Sequence, residues 1–209
     1  MTTTKATKAT KATKANKSPE ASTRVRILGA AAEAFAEKGY HGTGMSEIGD
    51  RAEIQRGALY YHIGSKEELL YDLCRYHVEE ALAEGRAAIS HSEDAREQFR
   101  ALVHSHLLTL VERRSFVVIA EREMQALTGD RAAALVTLRR EYQDLFAGVM
   151  KLGVEQGHFS RSEPLEVMGV LGMLNYTYMW LNPSGPTPIR EVADRLCDLL
   201  LDGLAVRTG

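Results

Sequence analysis

Cysteine is scarce in this chain of 209 residues, which contains only Cys74 and Cys197. The two lie far apart, each inside a helical pattern, so buried free thiols are expected rather than a disulfide. Long apolar runs are also missing, and the N-terminal end lacks the apolar segment of a secretory signal. With 44% hydrophobic residues and a mean hydropathy of −0.23, the composition predicts a cytoplasmic protein without a membrane partner.

Sequence features that mark enzymes are missing as well. The chain has no glycine-rich phosphate loop and no nucleophile in a recognisable elbow. His62 has no second ligand at a metal-binding spacing, and His104 and His106 point to different sides of a helix. The sequence therefore predicts neither an enzyme nor a cofactor or metal site.

Proline is rare, and its positions indicate the fold class. The five prolines fall at the ends of helical patterns, and no stretch alternates with the period of two that marks a strand. We therefore expect an all-α chain with a small N-terminal domain and a larger C-terminal one. About nine helices are predicted. The second begins at residue 43, and the others span residues 22–38, 56–62, 66–88, 94–113, 115–127, 130–156, 164–181 and 188–205.

Charge is distributed unevenly along the chain, whose net value is −2. Residues 1–20 carry five lysines and one glutamate, and residues 21–66 carry six basic and five acidic side chains, so the remainder carries −7. A basic N-terminal end is expected of a protein that faces DNA at one end. Residues 4–15 repeat Thr-Lys-Ala four times, which predicts a disordered tail over residues 1–20. This tail either adds phosphate contacts as a basic arm or stays solvated.

Residues 43–69, TGMSEIGDRAEIQRGALYYHIGSKEEL, have the pattern of a helix-turn-helix. Thr43 is predicted to cap a first helix, whose face with Ile48 and Ala52 meets Leu59 and Ile63 of a second helix over residues 56–62. This arrangement is a common device for placing a helix against DNA, and we expect the second helix to do so.

The outward side of that second helix contains Arg56, Ala58 and Tyr61. Gly57 has no side chain, so the helix start can approach a base edge or a phosphate closely. Gly64 is predicted to end the helix. Ser65 and Glu68 then fit a capping box, which leaves Lys66 free to point at the DNA backbone.

The segment GALYYHIGSKEEL resembles the signature of the tetracycline-repressor (TetR) family of bacterial transcription regulators, and the motif covers about residues 22–70. The resemblance implies that Arg56, Gly57 and Ala58 lie near base edges. Each of two residues has an alternative role. Arg56 contacts only the DNA backbone in one alternative, and Tyr60 buries its ring in the protein core in the other. The residues that the resemblance implies for phosphate contact are Thr43, Gln55, Tyr60, Tyr61, His62 and Lys66.

Three positions depart from the usual family pattern: Gly49, Glu53 and Ile63 stand where alanine, glycine and phenylalanine are common. Gly49 weakens a helix, and Glu53 enters a left-handed conformation only at a cost in free energy. These departures affect the rigidity of the motif and leave the outward-facing residues unchanged.

Residues 67–209 are predicted to form a domain for ligand binding and dimerisation. Its last two helices are apolar on more than one side, which predicts a second copy as partner in a four-helix bundle, as the family resemblance also implies. Leu174 and Leu196 are expected at this interface. Two recognition helices about 34–36 Å apart would then match a pseudo-palindromic operator.

A ligand pocket is predicted from large flexible or flat side chains, each of which is otherwise ordinary core. Arg122 either pairs with Glu121, Glu123 or another acid, or receives an anionic ligand. The segment MWLNPSGPTPIREVADRLCDLLLDGL resembles regulators of fatty-acid, sterol and acyl-CoA degradation in the same family, which implies a lipophilic acid or its CoA thioester as effector. The candidate pocket residues are Phe116, Arg122, Met124, Tyr142, Phe146, Met150, Tyr176 and Trp180.

The predicted function is a ligand-responsive transcription regulator, a repressor released from its operator by a small apolar or acyl-CoA-type ligand. The alternative is an architectural helix-turn-helix protein with no small-molecule switch. Release of DNA by small apolar acids would discriminate the two.

Overall fold

The computed structural model describes residues 19–204, and within this range the chain forms nine α-helices and one short 3₁₀ turn. The all-α fold class is therefore confirmed. Residues 1–18, which make up most of the predicted tail, lie outside the described residues. The helices are α1 (Pro19–Gly42), α2 (Met45–Arg51), α3 (Arg56–His62), α4 (Lys66–Ile89), α5 (Ala95–Glu112), α6 (Arg114–Glu123), α7 (Gly129–Glu155), α8 (Pro164–Trp180) and α9 (Ile189–Leu204), with the 3₁₀ turn at Met124–Ala126 after α6.

Local capping explains why several helices begin where the sequence predicts. Ser65 Oγ accepts a hydrogen bond from the backbone N–H of Glu68 at 3.0 Å, so the predicted N-cap of α4 is confirmed. Asp94 caps α5 by accepting from the backbone N–H groups of Arg96 and Glu97. Pro164 occupies the first turn of α8, where its missing N–H leaves no partner unsatisfied.

The helix predicted to stop at Gly39 does break there. Gly39 adopts a left-handed φ of 77°, and the chain turns before α1 finishes at Gly42. A residue with a Cβ would be strained in this conformation. The kink directs Tyr40 and His41 towards α4 and α6.

Two buried clusters hold the fold together. One cluster joins α1–α4 and contains Phe35, Ile48 and Leu59, and it also includes Ile119 of α6 and Leu135 of α7. The other lies among α5, α7, α8 and α9. The first cluster is therefore shared between the DNA-facing end of the chain and its larger part, so the two are packed directly against each other.

Both cysteines are buried free thiols, as predicted. Within residues 19–204, the helices are too short or too polar to cross a membrane.

Candidate nucleic-acid interface and ligand cavity

The helix-turn-helix packs through its predicted inward face. Ile48, Ala52, Leu59 and Ile63 are completely buried. The opposite side is exposed from Gln55 to Ala58 and again at Tyr61, whose side chain is 81% exposed. A Cβ built on Gly57 would meet nothing within 4 Å, so the start of α3 is open to close approach. We call this exposed side the recognition surface.

Arg56 and Tyr60 form a pair on α3. The guanidinium carbon of Arg56 lies 5.8 Å from the centroid of the Tyr60 ring, within the range of a cation–π contact. Tyr60 is 41% exposed, so its ring is covered in part by Arg56 and is not a core side chain. The pair presents a cation and a hydroxyl-bearing ring together at the recognition surface.

Lys66 is held at the start of α4 by the kinked end of α1. Its Nζ donates to the carbonyl of His41 at 3.3 Å and lies 4.7 Å from the centroid of the Tyr40 ring. The ammonium therefore already has a backbone partner within the chain, and its phosphate contact stays a prediction. An ammonium has three N–H donors, however, and the described contacts use one of them.

Thr43 differs from both of its predicted roles. The residue is only 2% exposed, and its hydroxyl shares its one proton between two α1 carbonyls, Gly39 O at 2.9 Å and Ala34 O at 3.1 Å. Gly44 rather than Thr43 is the N-cap of α2. The hydroxyl thus fixes α2 to α1, and the predicted N-cap and phosphate contact are corrected.

The turn between α2 and α3 and the end of α3 also differ from what the sequence predicts. Glu53 adopts the left-handed conformation, with φ of 53°, that the family pattern assigns to glycine. At Gly49 a Cβ would lie 3.1 Å from the carbonyl oxygen of Ile54, so this glycine permits a close turn. Helix α3 ends at His62 with Ile63 as its C-cap, and Gly64 is not left-handed.

A partly buried ion pair positions the end of α3. Arg24 of α1 pairs with Asp72 of α4, which is 5% exposed, and donates to the carbonyl of His62 at 3.3 Å. Burial raises the pKa of Asp72, and the nearby Arg24 opposes that rise. One arginine thereby connects α1, α3 and α4 beneath the recognition surface.

The larger part of the chain, α4–α9, which we call the body, contains a cavity of about 370 Å³. Its walls come from α4, α5, α6, α7 and α8. Much of the lining is apolar, as is typical of a site for a small organic molecule. The apolar lining residues are Val78, Ala81, Leu110, Val117, Ala120, Met124, Leu135, Val136, Met168 and Leu171.

Two histidines contribute uncharged polar groups to the cavity wall. Burial lowers the pKa of His77 and of His106 to about 4, so both rings are neutral at pH 7. His106 Nδ1 lies 2.9 Å from the hydroxyl of Tyr142, and burial raises the pKa of that hydroxyl. Among the described residues, His77 Nδ1 and His106 Nε2 have no hydrogen-bond partner. Most buried polar groups in folded proteins are hydrogen-bonded, so these two nitrogens are available to a bound molecule.

Charged side chains gather on one part of the wall. Arg139 and Arg140 of α7 line the cavity together with Glu121 of α6. Arg139 Nη2 donates to Glu121 Oε1 at 3.2 Å, which bridges the two helices. Burial also raises the pKa of Cys74, another lining residue, to about 12, so its thiol stays protonated.

Two of the eight predicted pocket residues, Met124 and Tyr142, line this cavity. Phe146 and Met150 are fully buried in the second cluster, whereas Tyr176 and Trp180 are exposed on α8. These four, with Phe116 and Arg122, are corrected as cavity residues. Arg122 is exposed, and the described ion pairs include none between it and Glu121 or Glu123, so its predicted pairing is also wrong.

Sequence reasoning missed the polar lining. His77 and Arg139 each lie in an otherwise amphipathic helix, where a polar residue is normally solvated and does not indicate a cavity. A signal was present in α4, where Cys74, His77, Val78 and Ala81 recur at the spacing of one helix face. A histidine among apolar residues on such a face indicates a polar site in the core.

Helix α8 has one buried and one exposed apolar face. Val167, Leu171 and Leu174 pack into the second cluster. Met168, Tyr176, Met179 and Trp180 are each about half exposed or more, and α9 adds Leu199 at 62% exposure. Leu174 is completely buried within the single chain, so its predicted place at an interface is wrong.

Comparison with known proteins agrees with the division of the chain into a DNA-binding end and a body. Residues 27–73 match the family described as bacterial regulatory proteins, tetR family, and residues 92–204 match the tetracyclin repressor-like C-terminal domain. The chain is 31% identical to the HTH-type transcriptional repressor KstR2 of Rhodococcus jostii (strain RHA1), over 90% of this chain and 94% of that protein.

Two solved structures have the same fold. The TetR family transcriptional regulator PfmR from Thermus thermophilus matches with a TM-score of 0.79 and 32% identity, over 87% of this chain and 100% of that one. AibR in complex with isovaleryl coenzyme A and operator DNA matches with a TM-score of 0.76 and 27% identity, over 86% and 98%.

The two family matches and the similarity to a transcriptional repressor identify a DNA-binding transcription regulator, which confirms the predicted function class. The chain belongs to the TetR family of transcription regulators, as the helix-turn-helix signature predicted.

Proposed function

We propose that the protein is a cytoplasmic homodimeric repressor, released from a pseudo-palindromic operator when a lipophilic acid or its CoA thioester enters the cavity. The observation that carries this proposal is the shared core. Ala120 and Leu135 line the cavity, and both belong to the same buried cluster as Leu59 and Ile63 around α3. A ligand that moves this wall must repack the support of the recognition surface.

Helix α6 gives a second connection between the two regions. Ala120 and Glu121 of α6 line the cavity, and two residues later Glu123 Oε1 accepts from the backbone N–H of Tyr40 at 3.4 Å. Tyr40 in turn contacts Lys66. A displacement of α6 would therefore move the kink of α1 and Lys66, which is a predicted phosphate contact.

The exposed face of α8 and α9 supports dimerisation. Met179, Trp180 and Leu199 present apolar surface that a second copy would cover, in the four-helix arrangement expected for this family. A two-fold axis through this face would pair two recognition surfaces, as a pseudo-palindromic operator requires.

The size and lining of the cavity support the proposed ligand class. A volume of about 370 Å³ suits an acyl group or a small fatty acid but not a whole CoA, whose nucleotide would extend outside. The arginines on the wall favour an anionic group next to the apolar part. The relative AibR was solved with isovaleryl coenzyme A and operator DNA, which supports this ligand class. The relative KstR2 is named a repressor, which supports repression as the outcome.

The test is fluorescence anisotropy of the full-length protein on its own upstream DNA. Binding is measured across a salt series, then with fatty acids and acyl-CoA thioesters, isovaleryl coenzyme A among them. Tight, salt-sensitive binding that one compound releases is the expected result. Binding that no compound alters would support a helix-turn-helix protein without a switch, and binding no tighter than to unrelated DNA would contradict the operator function.

A further inference from the structure

Arg139 has more hydrogen-bonding capacity than its neighbours use. A guanidinium offers five N–H donors. The described contacts of Arg139 are one carboxylate oxygen, Glu121 Oε1 at 3.2 Å from Nη2, and the thioether sulfur of Met124 at 3.2 Å from Nη1. A thioether is a weak acceptor. The side chain is 34% exposed and lines the cavity, so the N–H donors that the protein does not use are accessible to a ligand.

Arg140 adds a second cation to the same wall. It follows Arg139 on α7, is exposed, and forms no ion pair in the part of the chain that the structure describes. Glu121 is the one acid among the described lining residues. Because the two histidines of the wall are neutral at pH 7, the fixed charges facing the cavity are two positive and one negative.

We propose that Arg139 and Arg140 bind the anionic group of the ligand, a carboxylate or a phosphate, and that Glu121 is a competitor that this group must displace from Arg139. The inference rests on the proposed ligand cavity and names the residues that determine its specificity. An arginine that exchanges one carboxylate oxygen and a sulfur for two anionic oxygens gains a bidentate contact.

The exchange would separate charged ligands from neutral ones. A purely apolar molecule fills the cavity but leaves the Arg139–Glu121 pair intact. An anion breaks the pair and frees Glu121, which lies on α6 two residues before the contact of Glu123 with α1. Affinity for an anion is therefore reduced by Glu121, whereas affinity for an uncharged analogue does not depend on it.

The test uses two fluorescent probes of the same shape. 1-Anilinonaphthalene-8-sulfonate is an apolar anion, and N-phenyl-1-naphthylamine is its analogue without the sulfonate. We expect Glu121→Gln to tighten the anion about fivefold, and Arg139→Gln and Arg140→Gln each to weaken it about five- to tenfold. Each variant should change the Kd of the neutral probe less than about twofold.

Glu141→Gln is the matched control. Glu141 also lies on α7 in an ion pair, with Arg86 at 3.6 Å, but it does not line the cavity. It should leave both dissociation constants unchanged. Glu121→Gln keeps the inference testable even if an arginine variant fails to fold, because it predicts a gain rather than a loss.

The outcomes separate this inference from the proposed function. Equal responses of the two probes to Glu121→Gln would overturn the anion exchange while leaving a ligand cavity in place. If neither probe binds the wild-type protein, the anion exchange is overturned together with the cavity as a site for such probes, whereas operator release by fatty acids or acyl-CoA thioesters tests the proposed function separately. Displacement of the anionic probe by dodecanoate alone supports a carboxylate as the group bound, and displacement by coenzyme A alone supports a phosphate.

Discussion

The DNA-binding domain, α1–α3, and the body are built from the same kind of helix but present their functional residues differently. The recognition surface lies within a single stretch, from Gln55 to Tyr61, on one short helix. The cavity takes its lining from five helices, with residues as distant as Cys74 and Asn175. A surface made by one segment can be recognised as a local pattern, whereas a cavity exists only after the helices have packed.

The two regions also treat polar groups differently. On the recognition surface the side chains of Arg56 and Tyr61 are exposed to solvent. In the body, burial shifts the pKa of His77 and His106 to about 4. Function at the DNA-binding end therefore depends on which residues are present, and function in the body depends on the environment that surrounds them.

The largest expected effect comes from separating the dimer into monomers, each with a single DNA-binding domain. Leu199→Asp places a charge on the exposed apolar face and should give monomers in sedimentation. Since a dimer binds its second half-site at a high effective concentration, operator affinity should fall by about 100-fold or more. Val154→Asp, at a 38% exposed apolar position on α7, is the control and should remain dimeric. A Leu199→Asp protein that still sediments as a dimer would contradict the interface.

Within the recognition surface, base readout and phosphate contact should separate. Arg56→Ala should cost about 1–3 kcal/mol of operator binding and relax preference at one base pair, while Lys66→Ala should weaken all sequences alike and reduce the salt slope by about one. Anisotropy on a set of single-base operator variants measures both. An equal loss on every variant for Arg56→Ala would reject its role in base reading.

The buried histidines predict a pH dependence that belongs to the body. Each has a folded-state pKa of about 4 against 6.5 for the free side chain. Between these values the unfolded chain binds more protons, so the free energy of unfolding is highest above pH 6.5 and falls as the pH drops. Between pH 7 and pH 5, the free energy of unfolding measured with urea should fall by about 2 kcal/mol less in His106→Gln than in wild type.

His91→Gln is the control for this measurement, because His91 is exposed. It should reproduce the wild-type loss of stability. Identical pH dependence in His106→Gln and wild type would show that the ring is not held neutral by burial.

The smallest expected effect is at the turn of the helix-turn-helix. Glu53 is held at φ of 53°, so Glu53→Gly should raise the free energy of unfolding by about 1 kcal/mol. Glu53→Ala removes the same carboxylate but keeps the Cβ, and it should not stabilise the protein. A gain with alanine equal to that with glycine would assign the effect to charge rather than to the backbone.

The regular parts of the fold followed from sequence because their signals are local. The spacing of apolar residues, Ser65 as a cap and Pro164 at a helix start each act within one turn. Thr43 was misassigned because its partners are carbonyls of α1, up to nine residues away. No local pattern distinguishes a threonine that caps a helix from one that joins two helices.

The cavity was predicted poorly for a related reason. Phe146 and Met150 have the same side-chain character as Met124, but they face the second cluster, and only the packing of α5, α7 and α8 decides this. Arg122 and Arg139 are both arginines in amphipathic helices, and the one chosen from sequence proved exposed. Residue type indicates what a side chain can bind, whereas tertiary structure decides which side chains meet.

The most direct test of the account is the distance between the two recognition surfaces in the dimer. Asp50→Cys places one exposed thiol on α2, while the native Cys74 and Cys197 are buried, so a spin label can be attached selectively. Pulsed electron spin resonance then measures the separation with and without the compound that releases the operator. The account predicts one distance that suits half-sites one DNA turn apart, about 34–36 Å between recognition helices, and a different distance with ligand. An unchanged distance on ligand binding would contradict control of the DNA-binding domains by the cavity.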